Sequence, residues 1–204
     1  CLLAILAGVN FVAFSNDLVG IFLGLELVSI PTYILLFLAR RDWMSNEATI
    51  KYFLLSIFSS AFVLYGLSWV FGIAGTTNLT AITERIVAAP ATSNLGMFRL
   101  AMVLIIAGLS FRITAVPFHF YAPDVFQGVT TSSAAMLSFV PKVVGFTALL
   151  RLLPVCFGSV GFTDWVPSGA VRVVLMVIAI LTMFVGNLLA LRQTSIMRLL
   201  AYSS

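Results

Sequence analysis

Four ionisable side chains, Glu26, Lys51, Arg112 and Lys142, stand inside stretches otherwise suited to lipid. Glu26 lies midway along LVGIFLGLELVSIPTYILLFLA, residues 18–39, a run long enough to cross a bilayer as a helix of about 20 residues. A carboxylate at that depth costs roughly 2.5 to 3.5 kcal/mol on insertion scales, so such groups usually mark an ion or proton route. Facing lipid, the four charges together would cost on the order of 10 kcal/mol, which predicts a shared, partly hydrated interior where they satisfy one another. Three of them stand near a proline: Pro31 follows Glu26, Pro117 follows Arg112 and Pro141 directly precedes Lys142. Proline lacks the backbone N–H that would bond the carbonyl four residues back, so each is predicted to break its helix; at Pro31 the freed carbonyl is that of Leu27. Irregular backbone at membrane depth is tolerated only where it is buried in protein or lines a cavity. The chemistry on offer is the holding and passing of a proton or ion. His119, shortly after Pro117, adds the one side chain whose ordinary pKa lies near neutrality.

Plainer roles compete with that one. Lys51, about one turn into its helix, could snorkel to the interface. Glu26 and Lys142 lie too deep for that, and their structural role would be an ion pair between helices. Arg112 keeps its proton at any accessible pH and suits a fixed counter-charge. His119 could simply pack a turn, and the prolines could kink helices for packing alone.

Composition sets the class. Of 204 residues, 61% are hydrophobic and 9% charged, against about 25% charged in soluble domains. With a mean hydropathy of +1.14, this excludes an ordinary soluble domain and predicts an all-α polytopic membrane protein in contact with the lipid bilayer. The net charge of +4 rests on arginines in short loops, with no basic tract interleaved with aromatics, so a nucleic-acid partner is not expected. Cys1 and Cys156 have neither CxxC nor Cys/His spacing; no metal or redox site is indicated. No Gly-rich phosphate loop, cysteine cluster or flavin or quinone signature points to a cofactor in this chain. It opens inside an apolar run without an initiator Met and stops as another begins, so an internal fragment is expected.

The elements that must position the charges follow in order. Residues 1–14 read as part of a spanning helix, closed by Ser15-Asn16-Asp17, and 18–39 as the second. A charged loop, Arg40-Arg41-Asp42-Trp43, leads to a third helix over about 48–71, with Ser45 and Asn46 as caps and Glu47 in its first turn. Residues 72–95 are too rich in Gly, Thr, Asn and Pro to span. A fourth helix starts near Met97 and ends before Pro117, and 118–128 form a short half-helix or re-entrant turn. Residues 130–153 form the fifth helix, 171–191 the sixth, and a seventh begins after Arg198. The fold class is therefore a bundle of about six or seven transmembrane helices with at least one Pro-broken helix. Loop arginines tie between the two sides, Arg40, Arg41, Arg192 and Arg198 against Arg85, Arg99, Arg151 and Arg172, so charge counting leaves orientation open.

GLELVSIPTY around Glu26, EATIKYFLLSIFSSAFVLYG around Lys51, GLSFRITAVPFHFYAPDVFQG around Arg112, VPKVVGFTALLRL around Lys142 and the final GNLLALRQTSIMRLLAYSS closely resemble the antiporter-like membrane subunits of respiratory complex I, above all its subunit N branch. The resemblance covers nearly the whole chain. It implies a fourteen-helix protein of two inverted repeats, of which this single transmembrane domain, 1–204, holds the first (about 1–153) and the start of the second (about 171–204). Carried over by motif, Glu26 is the acid that modulates its neighbour and Lys51 a basic residue close to it. Arg112 takes the central position of the broken helix, and Lys142 is the next basic residue on the proton path. Family members usually carry lysine where this chain has Arg112, which casts Lys142 as the titrating site. The implied function is proton translocation in a bacterial inner (plasma) membrane, as a non-redox, multi-pass subunit of a proton-pumping NADH-quinone oxidoreductase. Other membrane subunits would be its partners, with NADH, FMN, iron–sulfur clusters and quinone held elsewhere in the complex. The alternatives are a subunit of a sodium/proton antiporter and a scaffold whose buried ion pairs only orient helices.

Overall fold

The computed structural model describes residues 1–39, 42–88, 95–157 and 169–203. The predicted loop residues Arg40 and Arg41 lie outside them. Nine α-helices and one 3-10 turn make up the described chain: α1 Leu2–Phe14, α2 Leu18–Ala39, α3 Trp43–Ala74, α4 Leu79–Ala88, α5 Leu95–Ile113, the 3-10 turn Phe118–Tyr121, α6 Ala122–Gly128, α7 Thr131–Phe157, α8 Gly169–Leu191 and α9 Ile196–Ser203. Among the described residues there is no named strand. Five segments are long and apolar enough to cross a membrane: α2, α3, the α5–α6 unit, α7 and α8. The chain is an all-helical membrane bundle.

Close backbone contact organises it. A Cβ built on Gly108 of α5 would lie 2.7 Å from the Ser59 carbonyl oxygen, and one on Gly66 of α3 would lie 2.8 Å from that of Ala101. Only glycine leaves room for α3 and α5 to touch main chain to main chain, the close approach that small residues allow between membrane helices. Gly8 and Gly24 do the same for α1 and α2. Around these crossings Ile21, Leu25, Val63, Ile105, Leu109 and Ala148 close a core shared by α2, α3, α5 and α7. A second core, with Tyr52, Phe111, Tyr121, Val125 and Ala201, wraps the α5–α6 junction.

Two of the three expected helix breaks are corrected. α2 runs on through Pro31 and α7 through Pro141. A proline deletes one backbone bond, and neighbouring hydroxyls and helices can compensate. Beside Pro31, the hydroxyls of Ser29 and Thr32 donate to the carbonyls of Leu25 and Val28 at 2.8 and 2.7 Å, adding local helical bonds without replacing the one that Leu27 loses. Only at Pro117 does the helix stop. There Thr114 takes a left-handed φ of 59°, Val116–Pro117 is cis, and the Ala115 N–H folds back to the Ser110 carbonyl at 2.8 Å.

Two further elements differ from expectation. α3 starts at Trp43, so Ser45 and Asn46 lie inside the helix rather than at its cap, and its 32 residues measure about 48 Å, more than the hydrocarbon layer requires. Residues 79–88, taken as irregular connector, form α4. Asn78 starts it, its Oδ1 accepting from the Thr80 and Ala81 N–H groups at 3.1 and 3.3 Å, while Leu79 and Ile82 bury the inner face. Arg85 donates from Nη1 to the Ala74 carbonyl at 2.5 Å and so caps α3.

A clasp joins α2 to this connector. Asp17 Oδ1 accepts from the Val19 N–H at 2.8 Å, its Oδ2 accepts from the Thr77 hydroxyl at 2.5 Å, and Asp17 pairs with Asn78 in an antiparallel bridge. The Thr77 hydrogen bond chiefly, helped by the amides of Val19 and Gly20 and opposed by partial burial, holds the Asp17 carboxyl below its ordinary range. A carboxyl depressed on folding stabilises fully above its ordinary pKa of about 4, and that share is lost as pH falls through the lower folded value. Asp17→Asn should therefore lower the melting temperature of the detergent-solubilised protein at pH 7, and the gap to wild type should narrow as pH falls below about 4. A gap unchanged with pH would refute this account of Asp17.

Candidate functional site at the helix break

Arg112 is the penultimate residue of α5 and is 5% exposed. Its guanidinium reaches into two other helices. From α2, the Leu25 carbonyl accepts from Nη1 at 3.2 Å, the Ser29 hydroxyl accepts from the same nitrogen, and Glu26 Oε1 accepts from Nη2 at 3.0 Å. From α3, the Ser60 hydroxyl oxygen accepts from Nη2 at 3.1 Å while donating its own proton to Glu26 Oε1 at 2.5 Å. The Gly66 and Gly108 crossing brings Ser60 to this place, and Ser59 beside it donates to the Gly108 carbonyl at 2.7 Å. The Glu26 carboxylate keeps 24% of its side-chain surface open, so the pair is buried on the arginine side and reachable on the other.

Lys142 is half-buried on α7. One turn further along, Gly145 packs on Arg112: a Cβ there would lie 3.3 Å from the Arg112 Cβ. His119 is half-buried in the 3-10 turn after Pro117, and its buried Nδ1 has no partner among the described residues. It lines a cavity of about 270 Å³ with Thr114, Thr182, Asn187 and Tyr202.

Lys51 is placed differently from expectation. Its Nζ pairs with Glu47 Oε1 at 2.8 Å and Asp124 Oδ2 at 3.2 Å, and its side chain is 43% exposed. The cation beside Glu26 is Arg112, so the four charges do not share one interior. The physical reason is the register of α3: Ser60 is the residue that reaches Glu26, and Lys51, nine residues earlier, lies about 13.5 Å further along the helix, where its ammonium finds Glu47 and Asp124. Between the two charge clusters stand Tyr33, whose hydroxyl donates to Ser56 Oγ at 2.5 Å, Tyr52, 5.7 Å from the Tyr33 ring, and Tyr121, stacked on Phe111 at 4.5 Å.

Several participants escape a search for charged residues. Ser29 and Ser60 add acceptors at the two terminal nitrogens of Arg112, whose buried Nε has no partner among the described residues, and their signal is a hydroxyl inside a lipid-length run, Ser29 one turn from Glu26. Asp124 and Arg198 complete the outer cluster at 3.1 Å, across an interval of sequence that no local pattern spans.

Lipid-length helices, one of them discontinuous beside a buried carboxylate–guanidinium pair, define a polytopic membrane protein built to hold charge at depth. The chain belongs to the family described as NADH:quinone oxidoreductase/Mrp antiporter, TM, which matches residues 15–204. It is 44% identical over 197 residues to NADH-quinone oxidoreductase subunit N of Trichlorobacter lovleyi, covering 97% of this chain and 39% of that one. It is 45% identical over 198 residues to NAD(P)H-quinone oxidoreductase subunit 2 of Rippkaea orientalis, covering 97% and 37%. Among solved structures, a chain of respiratory complex I from Thermus thermophilus superposes with a TM-score of 0.76 at 33% identity, over 96% of this chain and 39% of that one. A chain of the Mrp complex from Dietzia sp. DQ12-45-1b, at 23% identity and a TM-score of 0.81 over 98% of this chain and 35% of that one, shows the shared fold alone. The chain spans about two fifths of the length of the curated relatives it matches.

Removing one partner of a buried ion pair leaves the other uncompensated, at a cost of about 3–5 kcal/mol, whereas replacing both by apolar groups is often near neutral. Glu26→Leu should therefore sharply lower thermal stability in detergent, and Glu26→Leu with Arg112→Leu should recover most of the loss. Additive losses in that double-mutant cycle would show that the two side chains are not coupled.

Proposed function

We propose that this chain is part of a proton-translocating membrane subunit of a bacterial NADH-quinone oxidoreductase, seated in the inner membrane among other membrane subunits, with the redox groups held by those partners. Residues 1–153 would form one inverted repeat and 171–204 the start of the next. The observation that carries the reading is the Glu26–Arg112 pair buried beside the break at Pro117, within a chain 44% identical to a subunit N.

The residues divide the work by their chemistry. Arg112 keeps its proton, so it acts as a fixed positive charge that sets the field at the break. Glu26 answers it from α2, and any shift of α2 against α5 changes how much of that positive charge is neutralised. Lys142, on the helix that packs on Arg112 at Gly145, is the cation able to release a proton when that field rises. His119 and the cavity beside it, lined by Thr182 and Asn187, offer the next polar groups along a hydrated route. Movement transmitted from the redox part would thus load and unload Lys142 through the state of the Glu26–Arg112 pair.

In membrane vesicles carrying the full-length protein, Glu26→Ala and Lys142→Met should each lower the protons pumped per NADH oxidised while NADH oxidation with an uncoupler persists. An unchanged ratio in both variants would exclude this route. The family description also spans Mrp antiporters. Sodium-dependent proton exchange by the protein without NADH would replace the present reading with that one.

A further inference from the structure

α6, the half-helix beyond the break, is seven residues long, too short to hold its place by its own hydrogen bonds. Its inner side is apolar, with Val125 and Phe126 buried, and its last residue sits on α3, where a Cβ on Gly128 would lie 2.7 Å from the Ala48 Cβ. Apolar contact of this kind sets depth but does not prevent sliding or tilting. The polar tether is Asp124. One carboxylate oxygen, Oδ2, takes Lys51 Nζ of α3 at 3.2 Å, and the other, Oδ1, takes Arg198 Nη2 of α9 at 3.1 Å. Arg198 also donates from Nε to Gln127 Oε1 at 2.7 Å, so α9 grips α6 at two successive turns. These side chains line a cavity of about 240 Å³ together with Glu47, the second partner of Lys51.

We infer that Asp124 is a positioning residue of the proton route: by bridging Lys51 and Arg198 it fixes α6 between α3 and α9, and so fixes the break that follows Arg112. The link to Arg112 is short and mechanical. α6 continues directly from the 3-10 turn Phe118–Tyr121, whose Tyr121 donates its hydroxyl to the Phe111 carbonyl at 3.0 Å and stacks on the Phe111 ring, next to Arg112 in sequence. Tyr52, adjacent to Lys51, packs on both of those rings, at 6.2 Å from Phe111 and 5.8 Å from Tyr121. A displacement of α6 is thereby felt at the end of α5. Each ion pair is about half exposed and individually weak, but one carboxylate holding cations from two helices ties three elements together.

This rests on the proton-pumping reading above, and the test separates the two. Full-length variants are assayed in their assembled complex in membrane vesicles, at matched complex content, for protons pumped per NADH oxidised. Pairs of this exposure weigh a factor of about 1.4 to 5 in an equilibrium, so Asp124→Asn and Arg198→Gln should each lower that ratio in part and to a similar value. The double variant should be no worse than Asp124→Asn, and Asp124→Glu should restore most of the wild-type ratio. Raising salt to about 0.5 M, which screens exposed pairs, should lower wild type towards the Asp124→Asn value and leave that variant unmoved. Loss in Asp124→Asn with Arg198→Gln intact would overturn the inference, because the carboxylate would then act on protons directly. Losses that multiply in the double variant would also overturn it. Full coupling in both single variants while Glu26→Ala is impaired would sink this inference alone, and full coupling in all three would sink the pumping reading with it. Should Asp124→Asn fail to assemble, Arg198→Gln and the salt dependence of wild type decide.

Discussion

A guanidinium carries several N–H donors in a rigid fork and does not shed its proton inside a protein. Buried among membrane helices, it needs acceptors close by. Arg112 is met at its two terminal nitrogens by Leu25, Glu26 and Ser29 from one helix and by Ser60 from another, while its buried Nε has no partner among the described residues. Much of the bundle follows from that demand. α2 must present a carboxylate and a hydroxyl one turn apart, and α3 must come close enough for a serine to serve as both donor and acceptor. The glycines at 66 and 108 give α3 and α5 the main-chain contact that makes the approach possible.

A permanent charge at the break separates two tasks that a lysine there would combine. Arginine supplies an electrostatic field but cannot pass on its proton, so in the proposed pumping cycle titration would occur on a neighbour. Under that proposal the neighbour would be Lys142 on α7, one turn before the glycine that packs on Arg112. Glu26, partly open on the side away from Arg112, is the adjustable member of the pair. In the proposed cycle, small relative movements of α2 and α5 would alter the local charge balance without any side chain having to travel far.

The second centre of charge is of another kind. Lys51, Glu47, Asp124 and Arg198 form partly exposed pairs, each weaker than a buried one. A layer of tyrosines with Phe111 stands between this cluster and the buried pair. The inner pair is costly to disturb; the outer cluster is easily remade, as suits the tether of a short half-helix.

By itself the sequence determined the class, most helix positions, the mid-span carboxylate and the family, because these rest on local quantities: run length, the depth of a charge within a run, and long uninterrupted motifs. It could not decide which cation partners Glu26. Arg112 and Lys51 are equally plausible from spacing, and only the crossing of α3 with α5, through glycines distant in the chain, settles the choice. Nor could it decide that Pro31 and Pro141 leave their helices running while Pro117 ends one. A missing N–H is the same in all three, and the outcome depends on the surrounding hydroxyls and helices and on the left-handed turn at Thr114. α4 and the Asp124–Arg198 bond were hidden for the same reason: each is made by a packing surface or a partner that the tertiary structure supplies from far along the chain.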